Sequence, residues 1–163
     1  QQKLNNCLEI GLGFYGSTHF LWRLIFEKTI TIENQKDRVS KFRENMNKFY
    51  NKFTFNDLKS SFVFGLSHDT SSVEKVDKLL NGKKLDLLFI DGDHNYKSVL
   101  CDWLLYKNYV AKGGIIAFHD CIASDDGFGV PKLLKKIKSF DSDIKLQSII
   151  DSKNFGIAYY YNK

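Results

Sequence analysis

The chain predicts an α/β protein built on a doubly wound, mostly parallel seven-stranded sheet that ends in an antiparallel hairpin. Three observations carry this. Short apolar runs alternate with helix-length segments along nearly all of the 163 residues, the pattern of a sheet with helices on both faces. The first run ends in Gly11-Leu12-Gly13-Phe14-Tyr15-Gly16, a G-x-G-x-x-G turn that leads into a helical pattern. The last two runs are joined only by Asp151-Ser152-Lys153-Asn154, too short for a helical crossover, so they pair antiparallel at one edge.

Taken in order, the first strand lies near 6–11 and stops at the glycines. The helix near 17–27 follows, with Phe20, Leu21, Leu24 and Ile25 at helical spacing. A β-branched run near 28–33 ends in Glu33, and the helix near 36–50 mixes apolar and charged positions. The run near 61–65 closes at Gly65, and a helix near 71–80 follows. The run near 85–91 is almost wholly apolar, as a strand buried on both faces must be. A helix near 95–110 then leads through Gly113-Gly114 into the strand near 113–119. Pro131 sits in the first turn of the helix near 129–139, where its missing N–H does little harm. The hairpin strands near 144–150 and 155–161 end the chain.

A hydrophobic share of 43% over this length supplies one domain, residues 1–163, with room for a core. No apolar run reaches the roughly 18 residues of a membrane span. Cys7, Cys101 and Cys121 lie far apart and are odd in number, which argues against a disulfide scaffold or zinc knuckle and for a reducing, cytoplasmic compartment. The net charge of +5 comes largely from lysines spread over helices, such as Lys132, Lys135, Lys136 and Lys138. No arginine–aromatic cluster accompanies them, so no nucleic-acid partner is expected. Chain start at Gln1, almost at the first strand, predicts a processed product or a piece of a longer protein that supplies N-terminal helices.

The chemistry concentrates in residues 85–120. One apolar run ends in Asp91-Gly92-Asp93-His94 and the next in His119-Asp120. Neighbouring parallel strands release their carboxyl ends on the same edge, where open sheets hold ligands, so these groups should meet in one crevice. The glycine turn opens on that edge too. Its glycines permit a tight turn and close approach of a ligand, and the helix behind it presents unpaired N–H groups. Both dinucleotide-binding and S-adenosylmethionine-binding folds use such a turn, and the acid at Glu33 serves the ribose hydroxyls of either. Glu9, two residues ahead of Gly11, suits the amino-acid end of S-adenosylmethionine better than a pyrophosphate; the plainer reading is a strand acid paired with a lysine.

Together these segments resemble the class I S-adenosylmethionine-dependent methyltransferases, and within them the small metal-dependent O-methyltransferases such as catechol O-methyltransferase and the cephalosporin-hydroxylase-type relatives. The resemblance runs from Cys7 to Tyr161. It implies a Rossmann-like fold, S-adenosyl-L-methionine as cofactor with Mg²⁺ or another divalent cation, and a hydroxyl on a small molecule or sugar as acceptor. It implies cofactor contacts at Glu9, Gly11, Gly13, Gly16, Glu33, Asp91 and the adenine-side segment Gly65-Leu66-Ser67-His68-Asp69, of which Ser67 and His68 are the contacts. Asp91 and Asp120 are the acids that would hold the cation. His94 falls where the catalytic base is found, and its ordinary pKa near neutrality suits that task. Relatives carry an acid pair or Asp-Asn pair after the fifth strand where this chain reads His119-Asp120-Cys121. His119 is thus a metal ligand, a partner of a ligand, or a packing residue, and a His ligand would shift the preference toward Mn²⁺, Fe²⁺ or Zn²⁺.

Other polar positions have structural readings. Asp93 reads as a turn or cap residue for the helix beginning near Asn95, Asp102 as a surface acid beside the core aromatic Trp103, and His19 as packed or solvent-facing. Tyr159, Tyr160 and Tyr161 read as a half-buried edge strand, whose exposed edge could pair with a second copy. The glycine-rich loop from Cys121 to Val130 reads equally as a closing flap or a surface loop. Two rival functions stand beside methyl transfer. A nicotinamide-dependent oxidoreductase would need a hydride-transfer apparatus and would leave the Asp91, His94 and Asp120 cluster idle; the other is a non-catalytic cofactor-binding domain of a larger protein.

Overall fold

The computed structural model describes residues 4–49, 59–122, 129–150 and 156–163. Strands β1 (Leu4–Ile10), β2 (Phe26–Glu33), β3 (Ser60–Phe64), β4 (Leu85–Ile90), β5 (Val110–Phe118), β6 (Gln147–Ile150) and β7 (Gly156–Tyr161) form one sheet in the order β3-β2-β1-β4-β5-β7-β6. Between them run α1 (Ser17–Ile25), α2 (Lys36–Phe49), α3 (Thr70–Leu80), α4 (Tyr96–Tyr106) and α5 (Val130–Phe140). The pairings β3–β2, β2–β1, β1–β4 and β4–β5 are parallel, while β7 pairs antiparallel with both β5 and β6. This is the doubly wound sheet with an antiparallel ending that the sequence predicts. The hairpin's connection, 151–155, and residues 123–128 of the glycine-rich loop lie outside the described residues.

Strand alternation assigns the two faces. Leu8, Ile10, Ile30 and Ile32 point with Leu88, Ile90, Ile116 and Phe118 into a large core that Val76 and Leu80 of α3, Val99 and Trp103 of α4, and Leu133 and Ile137 of α5 complete. Cys7, Phe26, Leu87, Phe89 and Ala117 point the other way, against Trp22 of α1, and Val39 and Phe42 of α2 enclose Leu12. Each fully buried side chain of this size contributes about 1.5–3 kcal/mol relative to exposure. No helix among the described residues is long and apolar enough to cross a membrane.

Two boundaries differ from the sequence reading for a physical reason. β5 begins at Val110, three residues before the glycines, because the pair Gly113-Gly114 forms an irregularity inside the strand: the register steps from Leu85↔Val110 to Leu87↔Ile115. Asn162 grips that step, with Gly113 N–H donating to Asn162 O and Asn162 N–H donating to Gly114 O, both at 2.7 Å. α4 ends at Tyr106 and a short 3-10 turn, Lys107–Tyr109, takes the chain into β5.

The order reverses between β1 and β4, so the carboxyl ends of these strands flank a switch point. Backbone bonds lock those ends level with one another. Gly11 N–H donates to Ile32 O, Asp91 N–H to Ile10 O and His119 N–H to Ile90 O, at 2.9, 2.9 and 3.0 Å. Gly11 has φ +91, and a Cβ there would lie 2.1 Å from the Asp91 carbonyl oxygen. Gly13 shares a positive φ of 67 but faces open space. Gly11→Ala therefore combines left-handed strain of about 1–2 kcal/mol with overpacking of about 1–3 kcal/mol, whereas Gly13→Ala meets the strain alone. Thermal unfolding should place the Gly11→Ala midpoint below that of Gly13→Ala by several degrees, at about 2–4 °C per kcal/mol for a domain of this size.

Candidate functional site

A cleft of about 510 Å³ opens at the carboxyl edge of the sheet, within the range of small-ligand sites. Gly11, Gly13 and Phe14 form its floor, Glu33 and Arg38 one end, Ser67 and His68 a side wall, and Asp91 and His94 the far end. The sheet thus brings the glycine turn, the acid after β2 and the D-G-D-H segment into one space.

Glu33, only 3% exposed, fastens the turn to β2. Its Oε2 accepts from Leu12 N–H at 3.0 Å and its Oε1 from Gln35 N–H at 2.9 Å, while Arg38 Nη1 lies 3.5 Å from Oε2. The Arg38 guanidinium also lies 4.8 Å over the Phe14 ring, which is 76% exposed. Sequence reasoning passed over Arg38 and Phe14. The available signal was position: Phe14 lies inside the glycine turn, and Arg38 lies five residues beyond Glu33.

Glu9 and Gly16 do not reach the cleft wall. Glu9 alternates with Ile10, so its side chain turns toward α1, where it is fully buried. Thr31, its register partner on β2, donates to Glu9 Oε2 at 2.7 Å. His19 lies fully buried beside them, with Nδ1 2.7 Å from Thr31 Oγ1, 3.7 Å from Glu9 Oε2, and Nε2 2.9 Å from Ser60 Oγ. Since the Thr31 hydroxyl gives its proton to Glu9, its oxygen accepts from His19 Nδ1–H, which sets the tautomer. Glu9 Oε1 makes no hydrogen bond. Gly16, with φ +64, starts α1, and a Cβ there would meet the Phe42 ring at 2.4 Å; it serves the contact between α1 and α2.

At the far end, Asp91, His94 and Asp120 bring ligand atoms within 4.8 Å of one another. His94 Nε2 is 3.1 Å from Asp120 Oδ2 and 3.7 Å from Asp91 Oδ1. His119 approaches the same acids from the β5 side, its Nδ1 3.0 Å from Asp120 Oδ1 and 3.4 Å from Asp91 Oδ1. Asp120 is 2% exposed and has φ +55, a strained setting for a residue with a side chain. Its Oδ1 forms no hydrogen bond, although His119 Nδ1 stands 3.0 Å away. A buried carboxylate oxygen left open beside a second acid fits a cation. His94 and His119 thus both bring an imidazole nitrogen to Asp91 and Asp120, and His94, three residues after Asp91, completes the trio whose ligand atoms converge.

The acids raise the proton affinity of His94 above the ordinary imidazole value. Its hydrogen bond with Asp91 is the largest cause, partial burial opposes it, and the charges of Asp120, Asp91 and Asp93 add to it. Asp120 Oδ2 approaches Nε2 more closely than Asp91 Oδ1 does, so both acids hold this ring. The turn is braced from below as the sequence predicts. Asn95 caps α4 by accepting from Ser98 N–H at 3.0 Å, and Asp93 accepts from Asn95 N–H at 3.1 Å and from the Ser98 hydroxyl at 2.8 Å. From above, Gly129 N–H donates to His94 O at 2.6 Å, and a Cβ on Gly129 would lie 2.1 Å from Tyr96 Cα.

Asp102 corrects the sequence reading. It is 1% exposed, not a surface acid, because α4 buries Val99, Asp102, Trp103 and Tyr106, spaced as the apolar stripe of a packed helix. Burial pushes its carboxyl up to about 6, against the opposing influence of Ser67 and His68.

Comparisons with known proteins fit this geometry. The family model described as "Methyltransferase domain" matches residues 8–121. Uncharacterized protein R132 of Acanthamoeba polyphaga mimivirus is 35% identical over 102 residues, 63% of this chain and 44% of that protein; the chain spans under half of that curated relative. Among solved structures, the O-methyltransferase TomG from Streptomyces achromogenes, in complex with SAM, superposes with a TM-score of 0.76 at 12% identity, over 99% of this chain and 74% of that one. An rRNA methylase from Streptococcus thermophilus gives 0.72 at 8% identity, over 99% and 88%. At such identities the superpositions speak for the fold.

The His94 geometry can be checked in metal-free protein. An NMR titration of its imidazole should show a midpoint above 6.5, and Asp91→Asn or Asp120→Asn should each lower it. Because the folded-state value is raised, the stabilisation from charged His94 is complete below the ordinary value and is lost as pH rises through the raised one. His94→Ala should therefore cost more stability at pH near 6 than at pH near 9.

Proposed function

The chain belongs to the Methyltransferase domain family, and from that premise we propose that it moves a methyl group from S-adenosylmethionine to a hydroxyl of a small molecule or sugar, with a divalent cation at the acceptor end. The observation that carries this reading is the juxtaposition of two acids and an imidazole, Asp91, Asp120 and His94, at one end of a nucleoside-sized cleft. The glycine floor and Glu33 support a nucleoside at the other end. Gly13 leaves room there for a ligand against the backbone, and Ser67 and His68 stand where the base would lie. Free Cys7, Cys101 and Cys121 support a reducing, cytoplasmic setting.

The cofactor supplies an electrophilic methyl group on a sulfonium, and the cation, held by Asp91 and Asp120, would fix the acceptor oxygen and lower its pKa. The chain's own residues do the rest. Asp91 reaches into both functions, since it lines the cleft and faces His94. Asp120, buried and backbone-strained, gives its carboxylate a single orientation. His94, 39% exposed, can meet a substrate from solvent while keeping one ring nitrogen on the acids, and so takes the hydroxyl proton. With the two acids neutralised, its basicity returns toward the ordinary range, suited to proton transfer near neutral pH. Gly129 N–H holds the His94 carbonyl and Asn95 caps the helix that follows, so the backbone bearing the ring is held.

Calorimetric titration tests the cofactor assignment: S-adenosylmethionine should bind and NAD should not, and the reverse would establish the oxidoreductase reading. A transfer assay over phenolic and sugar hydroxyls, with Mg²⁺ or Mn²⁺ and with chelator, tests the chemistry. Asp91→Ala should abolish the metal-stimulated rate while changing cofactor affinity only severalfold; undiminished turnover would remove the metal role. His94→Ala should lower turnover at pH 7 by about 100-fold or more, the usual size of a general-base contribution. Its rate should partly recover at higher pH as the hydroxyl ionises unaided, and a variant keeping the parent's pH profile would place the base elsewhere.

A further inference from the structure

The apolar residues whose spacing marks α1 as a helix look away from the core. His19 is fully buried, and Trp22 packs against Phe26 and Phe89 on the inner side. Leu24, by contrast, is 68% exposed, and Leu21 and Ile25 are about half exposed. At about 3.6 residues per turn these three share the outer face with Ser17 and Thr18, so that face carries no charge. Arg23, the only charged residue of the helix, has its Nε buried. The outer faces of α2, α3 and α5 instead carry exposed charges such as Asp37, Lys75 and Lys135. A helix that is apolar all round is the kind that a protein buries, yet nothing among the described residues covers the outer face of α1.

The patch continues past the helix. Phe14 and Tyr15, in the turn that leads into α1, are each about three-quarters exposed, so five of the thirteen large apolar side chains exposed among the described residues fall within residues 14–25. Together they open on the order of 600 Å² to solvent, as much as the largest patch of a typical monomer. That is also most of the ~800 Å² that each partner gives to a standard interface. Charge narrows the choice of partner. Lys132, Lys135, Lys136 and Lys138, behind much of the net charge of +5, lie on α5, which packs on the opposite face of the sheet from α1. Two copies meeting at α1 therefore keep these like charges on their far sides, where solvent and salt screen them. A helix that lies on a lipid surface carries lysine or arginine on the face opposite its apolar stripe, whereas the inner face of α1 is packed on the sheet.

We propose that the outer face of α1 is the contact of a two-fold homodimer, formed by Leu21, Leu24 and Ile25 of both copies and flanked by Phe14 and Tyr15. A two-fold contact uses the same patch twice, so a stripe without charge is complementary to itself. With roughly 600 Å² from each copy, the pair stands at the lower size limit of specific interfaces, and its affinity is micromolar rather than tighter. The inference goes beyond methyl transfer and stands without it. It does touch the cleft, because Phe14 lines that cavity as well as the patch.

Sedimentation velocity on the whole chain tests this. From low to high micromolar concentration the mass should rise from 18.9 kDa toward twice that value. Leu24→Glu puts like charges into the contact while keeping a good helix former. It should weaken association by about thirtyfold or more, the loss of a central anchor, with an unchanged circular dichroism spectrum. Leu104→Glu, at an exposed apolar position of α4, should associate as the wild type does, which separates a specific contact from general stickiness. Hydrogen exchange should slow across residues 14–25 as wild-type protein is concentrated, and this pattern decides alone if the Leu24→Glu chain does not fold. A chain that stays at 18.9 kDa throughout overturns the proposal, and pelleting with phosphatidylcholine vesicles would then give the face to a lipid surface. Association that survives Leu24→Glu overturns it too, as does slowed exchange confined to the β6 edge at 147–150, since the copies then meet elsewhere.

Discussion

The site depends on one rung of backbone hydrogen bonds across the carboxyl edge of the sheet. Gly11 to Ile32, Asp91 to Ile10 and His119 to Ile90 are successive steps of this rung, and each joins the last residue of one strand, or for Ile32 the next to last, to the first residue past its neighbour. The rung sets Glu33, the glycine turn, Asp91 and the His119-Asp120 pair at one height. Strands slipped by a single residue would also swap faces, sending the core residues Leu8, Ile30 and Leu88 outward. The burial of the core therefore enforces the alignment of the site, and the alignment needs no interaction among the site residues themselves.

That independence matters because the site residues repel one another. Asp91 and Asp120 stand close together, Asp93 adds a third negative charge, and Asp102 lies buried behind the wall. Left to themselves these groups would spread. The core holds the acids in place, and their mutual repulsion becomes affinity for positive charge, whether a proton on His94 or a hard cation. Asp120 carries the largest share of this tension, in a left-handed backbone and a nearly closed environment. Strain concentrated at one residue is tolerable because the pairings β4–β5 and β5–β7 fix the strand leading into it.

Much of this was legible in the sequence, and the reason is period. Strand alternation and turn chemistry are local, so the order of elements, the antiparallel ending and the meeting of D-G-D-H with His119-Asp120 followed from residues read a few at a time. The misses at the site concern mostly direction. Whether Glu9 faces the cleft or α1 depends on one step of strand parity, and the chain places it behind the floor with Thr31 and His19. Asp102 occupies a core position of α4 by spacing, but its charge suggested a surface acid. Both His94 and His119 meet the acids, and Gly129 holds the turn that carries His94 from far along the chain.

The two faces of the sheet then divide the labour. The α1–α2 side is built on packing and a buried hydrogen-bonded cluster of Glu9, Thr31, His19 and Ser60; it lies behind the floor and leaves the turn open above it. The α4 side is built on groups with unspent capacity. From one helix come the Asn95 cap that braces the turn bearing His94, the Asp102 carboxylate behind Ser67 and the Tyr106 hydroxyl on the Ser67 carbonyl. α4 is thus in touch with both ends of the cleft, the wall where a base would rest and the acids where the reaction would occur. A displacement of this helix by a fraction of its rise would move both ends together, so its packing against α5 and the buried Trp103–Tyr160 bond of 2.8 Å bear on the spacing between them. The distance between the two ends of the cleft is therefore a property of one helix's seat on the sheet, which is why a core contact such as Trp103 can matter to a reaction it never touches.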